Sequence, residues 1–286
     1  MLLQSYAEGH WVAGSGTPVT LAHAITGEPV AEISSAGLDV AGMAGYARDK
    51  GGPALRAMTF HQRALKLKQL AILLQQHKEE FYALSKATGA TRADSWIDIE
   101  GGIATLFSYS GKGRREMPNA KVYIDGPPET LSGDNSFVGQ HVHLPLQGVA
   151  VHINAFNFPC WGMLEKLAPT LIAGVPAIVK PASQTAYLAA LMFRRMIESE
   201  ILPPGALQLI CGSTGDLLDH LGCQDAVTFT GSAATGLALR RHPGILEHAV
   251  RFTVESDSLN AAILGPDASP DTPEFDLFVD EVVREM

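Results

Sequence analysis

Residues 148–183, GVAVHINAFNFPCWGMLEKLAPTLIAGVPAIVKPAS, carry the clearest pattern in the chain. An apolar run at 148–153 leads to a turn at 154–159. A helical period then covers residues 160–173, and a second apolar run covers 176–180. Short β-branched runs flanking a helical pattern predict one βαβ unit of a parallel sheet. The rhythm continues downstream with a helix at 187–200, stopped by Pro203-Pro204-Gly205, and a strand at 207–211. A short helix at 217–221, a strand at 226–230 and a helix opening at Gly231 come next, then a strand at 250–255 and an apolar run at 260–264. Five strands with helices between them predict an α/β, doubly wound, Rossmann-like parallel sheet.

Upstream the pattern differs. Residues 1–35 are short β-rich runs broken by Gly and Pro, which predict an opening arm of two or three strands. From residue 39 to about 113 the spacing turns helical. Phe60, Ala64, Leu67, Leu70, Ala71, Leu74, Phe81 and Leu84 mark a buried stripe, with Arg63, Lys66, Lys68, Gln75 and Lys78 assigned to the solvent side. A second helix is expected over 93–109, with Asp94, Asp98 and Glu100 on a solvated face. The Pro- and Gly-rich stretch 117–135 reads as a loop or linker, and 137–144 alternates as a strand leading back to the opening segment. The expected division is 1–147 (arm, helices and linking strand), 148–265 (dinucleotide-binding domain) and 266–286 (start of a truncated segment). The last helical pattern, 275–286, stops without a C-cap glycine or polar tail, so the chain is expected to be the N-terminal portion of a longer protein.

A length of 286 residues fits about two domains of ~100–200 residues each. The net charge of −9 argues against a broad nucleic-acid footprint. No apolar run approaches the ~18 residues of a spanning helix, so no membrane partner is expected. Cys160, Cys211 and Cys223 form no CxxC pair, and a reducing cytoplasm is the expected setting.

Candidate chemistry gathers at strand ends, where open α/β sheets bind ligands. Gly231-Ser232-x-x-Thr235-Gly236 lies between a strand and a helix. It is either a phosphate site built on free N–H groups and the helix dipole, or an ordinary tight turn. Lys180 ends an apolar strand, as a solvated lysine or as a ligand contact. Asn157 precedes Phe158-Pro159 and either caps the next helix or aims its amide at a ligand. Glu255 closes the run FTVE as a solvated carboxylate or a base.

The combination N-x-x-N-F-P, K-P-A-x and F-T-G-S resembles the aldehyde dehydrogenase superfamily. HINAFNFPCWGMLEKLAPT, FTGSAATG, TGATRADSWIDIEGG and E-S-D-S-L-N resemble its branch acting on CoA-thioester semialdehydes from aerobic aromatic-acid degradation, along essentially the whole chain. Benzoate-derived and phenylacetate-derived substrates both stay open. The resemblance implies a small-molecule CoA-thioester aldehyde as substrate, oxidised to the carboxylic acid, and self-association into a homo-oligomer. It implies that Ser232 and the adjacent amides hold the cofactor pyrophosphate and that Lys180 reaches the adenosine ribose. Asn154, Ala155, Phe156, Gly212, Gly231, Thr235 and Ser256 are the further cofactor contacts it implies. Many NAD-preferring members carry Glu where this chain has Ser183. A hydroxyl there can donate to a 2′-phosphate that a carboxylate would repel, so NADP is the expected cofactor.

The resemblance also makes Asn157 the oxyanion donor and Glu255 the general base. The family's E-L-G-G is here Glu255-Ser256-Asp257-Ser258, with both glycines replaced. Family members attack the aldehyde with a cysteine placed after the base, in a separate catalytic domain, and no cysteine comes after Glu255 here. The expected fold is that of the family without its C-terminal catalytic domain. The fragment alone would be inactive; the rival expectation is a nucleotide-binding fragment or pseudoenzyme without turnover. Cys160 adjoins the Asn157 turn at a helix start, where a thiol pKa can fall, but a buried structural role is the expectation for it, and packing for Cys211 and Cys223. No metal site is expected, since His141 and His143 share a strand face without a third ligand and His220 and Cys223 lack partners.

Overall fold

The computed structural model describes residues 1–257 and 261–285. The serine replacing a family glycine at 258, and the start of the apolar run at Asn260, lie outside the described residues. The chain divides into two compact units, Met1–Glu255 and Ser256–Met286.

The first unit opens with strands β1 (Gln4–Ala7), β2 (His10–Ala13), β3 (Val19–Ala22) and β4 (Pro29–Ile33). Six α-helices come after them: α1 (Val40–Tyr46), α2 (Gly52–Arg56), α3 (Phe60–Gln76), α4 (Lys78–Ser85), α5 (Arg92–Trp96) and α6 (Gly102–Arg115). Side chains set several starts: Asp39 caps α1, and Thr59 with Gln62 and Thr91 with Asp94 form reciprocal capping boxes on α3 and α5. Strands β5 (Tyr123–Thr130) and β6 (Val138–His143) pair as an antiparallel hairpin. The alternating part comprises β7 (Ala150–Ile153), α7 (Pro159–Ile172), β8 (Ala177–Lys180), α8 (Ala186–Glu198), β9 (Leu207–Leu209), β10 (Ala226–Gly231), α9 (Ala233–Arg240), α10 (Pro243–Glu247) and β11 (Arg251–Ser256). Helix α11 (Pro273–Glu285) lies in the second unit.

The seven-stranded sheet runs β11-β10-β7-β8-β9-β1-β2. Strands β10, β7, β8 and β9 are parallel, with Thr228 opposite His152 and His152 opposite Val179. Strands β1 and β2 extend the far edge antiparallel, and β3–β4 form a separate ribbon. From β7 the chain winds outward to β9, then returns to the other side of β7 as β10 and β11. The order therefore reverses between β7 and β10, which is the topological switch point of a doubly wound sheet. Alternating side chains feed two cores. Ala177, Val179, Leu207 and Leu209 meet α3, α6, α7 and α8 on one face, while Val149, Val151, Ile153, Ile178 and Val227 meet α1 and α10 on the other. On α7, Met163, Leu164, Leu167 and Leu171 are fully or almost fully buried, each contributing about 1.5–3 kcal/mol of apolar burial.

Several expectations are corrected. Residues 123–130, read as linker, form β5, and β6 pairs with β5 rather than returning to the opening strands. The helix expected over 93–109 is interrupted by a π-helical turn at Ile97–Gly101. Arg63 is not on the solvent side: it is 1% exposed, and its guanidinium donates to the carbonyls of Ile172 at 2.7 Å, Leu55 at 3.2 Å and Met58 at 2.5 Å. Burial holds its pKa down to about 10. Asp98, read as solvated, is 4% exposed, and Glu100 accepts from Gln75, Lys78 and Tyr82.

Candidate active site at the switch point

The turn that carries Asn157 is held from three sides. Asn154 N donates to Lys180 O at 3.0 Å, and Thr185 Oγ1 donates to Phe156 O at 3.0 Å, which ties the exits of β7 and β8 together. The third support is Asp98. Helix α7 starts at Pro159 after Phe158, which supplies no side-chain cap. The free N–H groups of Cys160 and Trp161 donate instead to Asp98 Oδ1, at 3.0 and 2.8 Å. A helix start left without its own cap needs an acceptor from elsewhere, and the π turn supplies one. Burial raises the Asp98 pKa to about 6 against the lowering effect of these bonds. Asn157 itself is exposed at the turn.

Asn154 is 4% exposed, and among the described residues neither side-chain amide atom has a partner. Two further buried atoms without partners among the described residues lie on the neighbouring positions His152 Nδ1 and Thr228 Oγ1. The fully buried His152 shares a hydrogen bond between Nε2 and Thr170 Oγ1 at 3.1 Å; burial, then the charge of Lys166, pulls its pKa down to about 3.

Lys180 ends β8 half-buried, and burial lowers its pKa. Ser183 starts a short 3₁₀ turn and shares with Phe156, Thr185 and Tyr187 the lining of a cleft of about 540 Å³. Gly212 comes after β9 at φ 142°, where a Cβ would lie 2.5 Å from Ser35 Oγ, so close packing on Ser35 demands glycine. Ser232 caps α9, its Oγ accepting from Thr235 N at 3.2 Å, and residues 232–235 stay exposed. Gly231 ends β10, Ala155 sits half-buried next to Asn154, and Ser256 ends β11 half-buried.

Glu255 is brought to β10. Its Oε2 accepts from Thr230 Oγ1 at 3.1 Å, and both residues line a cleft of about 520 Å³ with Thr105, Tyr109, Trp161 and Lys166. Lys166 donates to Gly162 O and pairs with Glu165 at 2.9 Å. The cysteines lie elsewhere. Cys160 is fully buried, and burial, then the Asp98 charge, pushes its thiol pKa well up. Cys211 is buried and pushed up to about 12, and exposed Cys223 precedes β10, at the opposite end of that strand from Glu255. Among the described residues no group of three His, Cys, Asp or Glu could hold a metal, and no helix is long and apolar enough to cross a membrane.

This edge fits a dinucleotide. A buried amide with two unpartnered atoms sits at the switch point, the first turn of α9 is open, and Lys180 stands at the next strand end. Sequence reasoning missed Asp98, His152, Thr228 and Thr230. The first two left signals: an uncapped helix start, and a lone polar residue inside an apolar strand.

The aldehyde dehydrogenase family model matches residues 11–284. Over its full length the chain is 47% identical to a 3,4-dehydroadipyl-CoA semialdehyde dehydrogenase of Aromatoleum evansii, covering 56% of that protein. Over 82% of the chain it is 30% identical to a glutarate-semialdehyde dehydrogenase of Pseudomonas aeruginosa, covering 48% of it. Among solved structures, a betaine aldehyde dehydrogenase of Staphylococcus aureus in complex with NAD+ superposes with TM-score 0.81 at 21% identity, over 98% of this chain and 54% of that one. An NADP-dependent glyceraldehyde-3-phosphate dehydrogenase of Bacillus halodurans, complexed with NADP, gives TM-score 0.76 at 23% identity, over 94% and 55%. The fold is thus an aldehyde dehydrogenase fold, and the chain belongs to the aldehyde dehydrogenase family. It spans about half the length of the relatives it matches.

Proposed function

We propose that the chain forms the cofactor and general-base portion of an NADP-dependent dehydrogenase that oxidises a CoA-thioester semialdehyde from aromatic ring cleavage to its carboxylic acid. The observation that carries this reading is Glu255, held by Thr230 over a cleft beside the switch point. The full-length identity to the Aromatoleum evansii protein supports the substrate class. Asn154, Ala155, Phe156, Lys180, Gly212, Gly231, Ser232, Thr235 and Ser256 face the cofactor in this reading, and Ser183 favours the 2′-phosphate. The bound cofactor supplies the hydride acceptor. Asn157 donates to the oxyanion, and Glu255 takes a proton from the water that releases the acid.

The thiol that attacks the aldehyde comes from outside residues 1–286. A second reading, binding without turnover, is favoured for these residues alone by the inaccessible thiols of Cys160 and Cys211. Functionally the chain divides at 147/148 and 265/266. Three free cysteines suit a reducing cytoplasm. Exposed Ile124, Leu131, Phe137, Val138 and Val142 on and beside the β5–β6 hairpin suit self-association.

The test joins residues 1–286 to the part of the Aromatoleum evansii protein that lies beyond the match. NADPH formation from a CoA-thioester semialdehyde, lost on Glu255→Gln, is the expected result. A soluble chimera that binds NADP yet oxidises no CoA-thioester semialdehyde would refute the reading.

A further inference from the structure

Helix α6 lines two clefts. Its Thr105 and Tyr109 face the Glu255 cleft, and its Phe107, Ser110, Arg114 and Arg115 line a second one, of about 450 Å³, against His61 and Lys68 of α3. The second cleft has no carboxylate in its lining, in a chain of net charge −9. Lys68, Arg114 and Arg115 are exposed, and among the described residues none has an ion-pair partner. Nearby, Lys112 pairs with Glu116, Lys78 with Glu100 and Arg195 with Glu80, Arg63 donates to backbone carbonyls, and Lys66 of α3 has no ion-pair partner among the described residues. Phe107, 40% exposed, adds an uncovered aromatic ring. His61 shares a 3.0 Å hydrogen bond with Met117 O, which anchors the start of α3 to the segment after α6.

We propose that this α3–α6 cleft binds the nucleotide end of a CoA thioester, its phosphates on Lys68, Arg114 and Arg115 and its adenine on Phe107. The inference rests on the substrate class proposed above and places the handle of that substrate. Arginine forks match phosphate oxygens, and an aromatic face stacks a base. The position suits a long arm between the two ends of the ligand. Thr105 and Phe107 are two residues apart, about 3 Å along the helix axis, on opposite flanks of a helix roughly 10–12 Å thick with its side chains. The extended pantetheine arm crosses α6 and delivers the acyl end to the Glu255 cleft, while the phosphates stay behind. Such a site discriminates a CoA thioester from a free semialdehyde without touching the reacting atoms.

Calorimetric titration of residues 1–286 with CoA, 3′-phosphoadenosine 5′-phosphate, pyrophosphate and NADP tests this at two salt concentrations. CoA and the phosphoadenosine should bind, more weakly at higher salt, and saturating NADP should not displace them. Lys68→Glu/Arg114→Glu and Arg114→Glu/Arg115→Glu should each weaken CoA about tenfold or more and leave NADP affinity unchanged. These side chains are exposed, so thermal unfolding should show the fold intact. Displacement of CoA by NADP, or charge reversals without effect on CoA, would overturn the assignment. Equal binding of pyrophosphate and CoA would reduce the cleft to an unspecific anion site and also overturn it. If the wild type binds CoA but not NADP, the redox reading fails and the cleft stands; the reverse result sinks the cleft alone.

Discussion

Asp98 and His152 are buried titratable groups whose pKa values move so that their effects on stability oppose each other. The Asp98 carboxyl is raised to about 6, chiefly by burial, and the His152 imidazole is lowered to about 3 by burial and Lys166. Between about pH 4 and 6 the folded state holds one proton more than the unfolded chain at Asp98. It holds one fewer at His152. Rising pH therefore costs stability through Asp98 and restores it through His152, each by roughly 1.4 kcal/mol per pH unit.

In the wild type these two slopes largely cancel. Asp98→Asn keeps an acceptor oxygen but removes the titration, so stability should rise with pH from about 4 to 6. His152→Gln should do the opposite and make stability fall over the same window. Urea unfolding at half-unit pH steps reads both slopes. Two variants that keep the wild-type pH profile would show that neither group is linked to folding as described.

Arg63 joins the carboxyl ends of two helices: it donates to Leu55 at the end of α2 and to Ile172 at the end of α7. Arg63→Met would keep the apolar stem and leave the buried carbonyl of Leu55 and the part-buried carbonyls of Met58 and Ile172 without that donor. A loss of about 3 kcal/mol is expected from such unmet groups. Equilibrium denaturation checks it. A loss below about 1 kcal/mol would mean that water replaces the guanidinium.

The parallel sheet and its order of elements were legible because each strand is a short apolar run bounded by turns, and the helices keep their period. The two buried charges were not, and for the same reason. Arg63 lies three residues after Phe60 and one before Ala64, inside the apolar stripe by phase; its chemistry alone sent it to the solvent side. Asp98 likewise lies in phase with buried Ser95, Ile99, Gly102, Ile103 and Leu106, and its charge alone sent it outward. The hairpin strand β5 was hidden by Gly126, Pro127 and Pro128, where the pairing register shifts between Asp125 and Glu129. In the site, motif residues were named, but their supports were not, because Asp98 and Thr230 act across long sequence separations.

Cofactor choice should turn on Ser183. Ser183 is the first residue of the 3₁₀ turn, two residues before Thr185 and three after half-buried Lys180. NADP is expected to bind more tightly than NAD, with Ser183→Glu reversing the order by repelling the 2′-phosphate. Calorimetry with both cofactors decides; unchanged relative affinities in the variant would remove Ser183 from the selectivity argument.

Residues 1–286 alone should bind NADP and yield no NADPH from any aldehyde. A thiolate must face the cofactor edge, and Cys160, although it starts α7 beside Asn157, cannot supply one. Its thiol is fully buried, and both burial and the Asp98 carboxylate raise its pKa. The N–H groups that would otherwise favour a thiolate at that helix start already serve Asp98. NADPH fluorescence with a short semialdehyde should stay at background in the wild type and in Cys160→Ala alike. Turnover that disappears with Cys160→Ala would make Cys160 a working nucleophile and overturn its structural assignment. Asp98→Asn separates the two effects further: it removes the repelling charge, so iodoacetamide should still fail to label Cys160 if burial dominates. Labelling in that variant alone would show that the carboxylate, not burial, keeps the thiol inert.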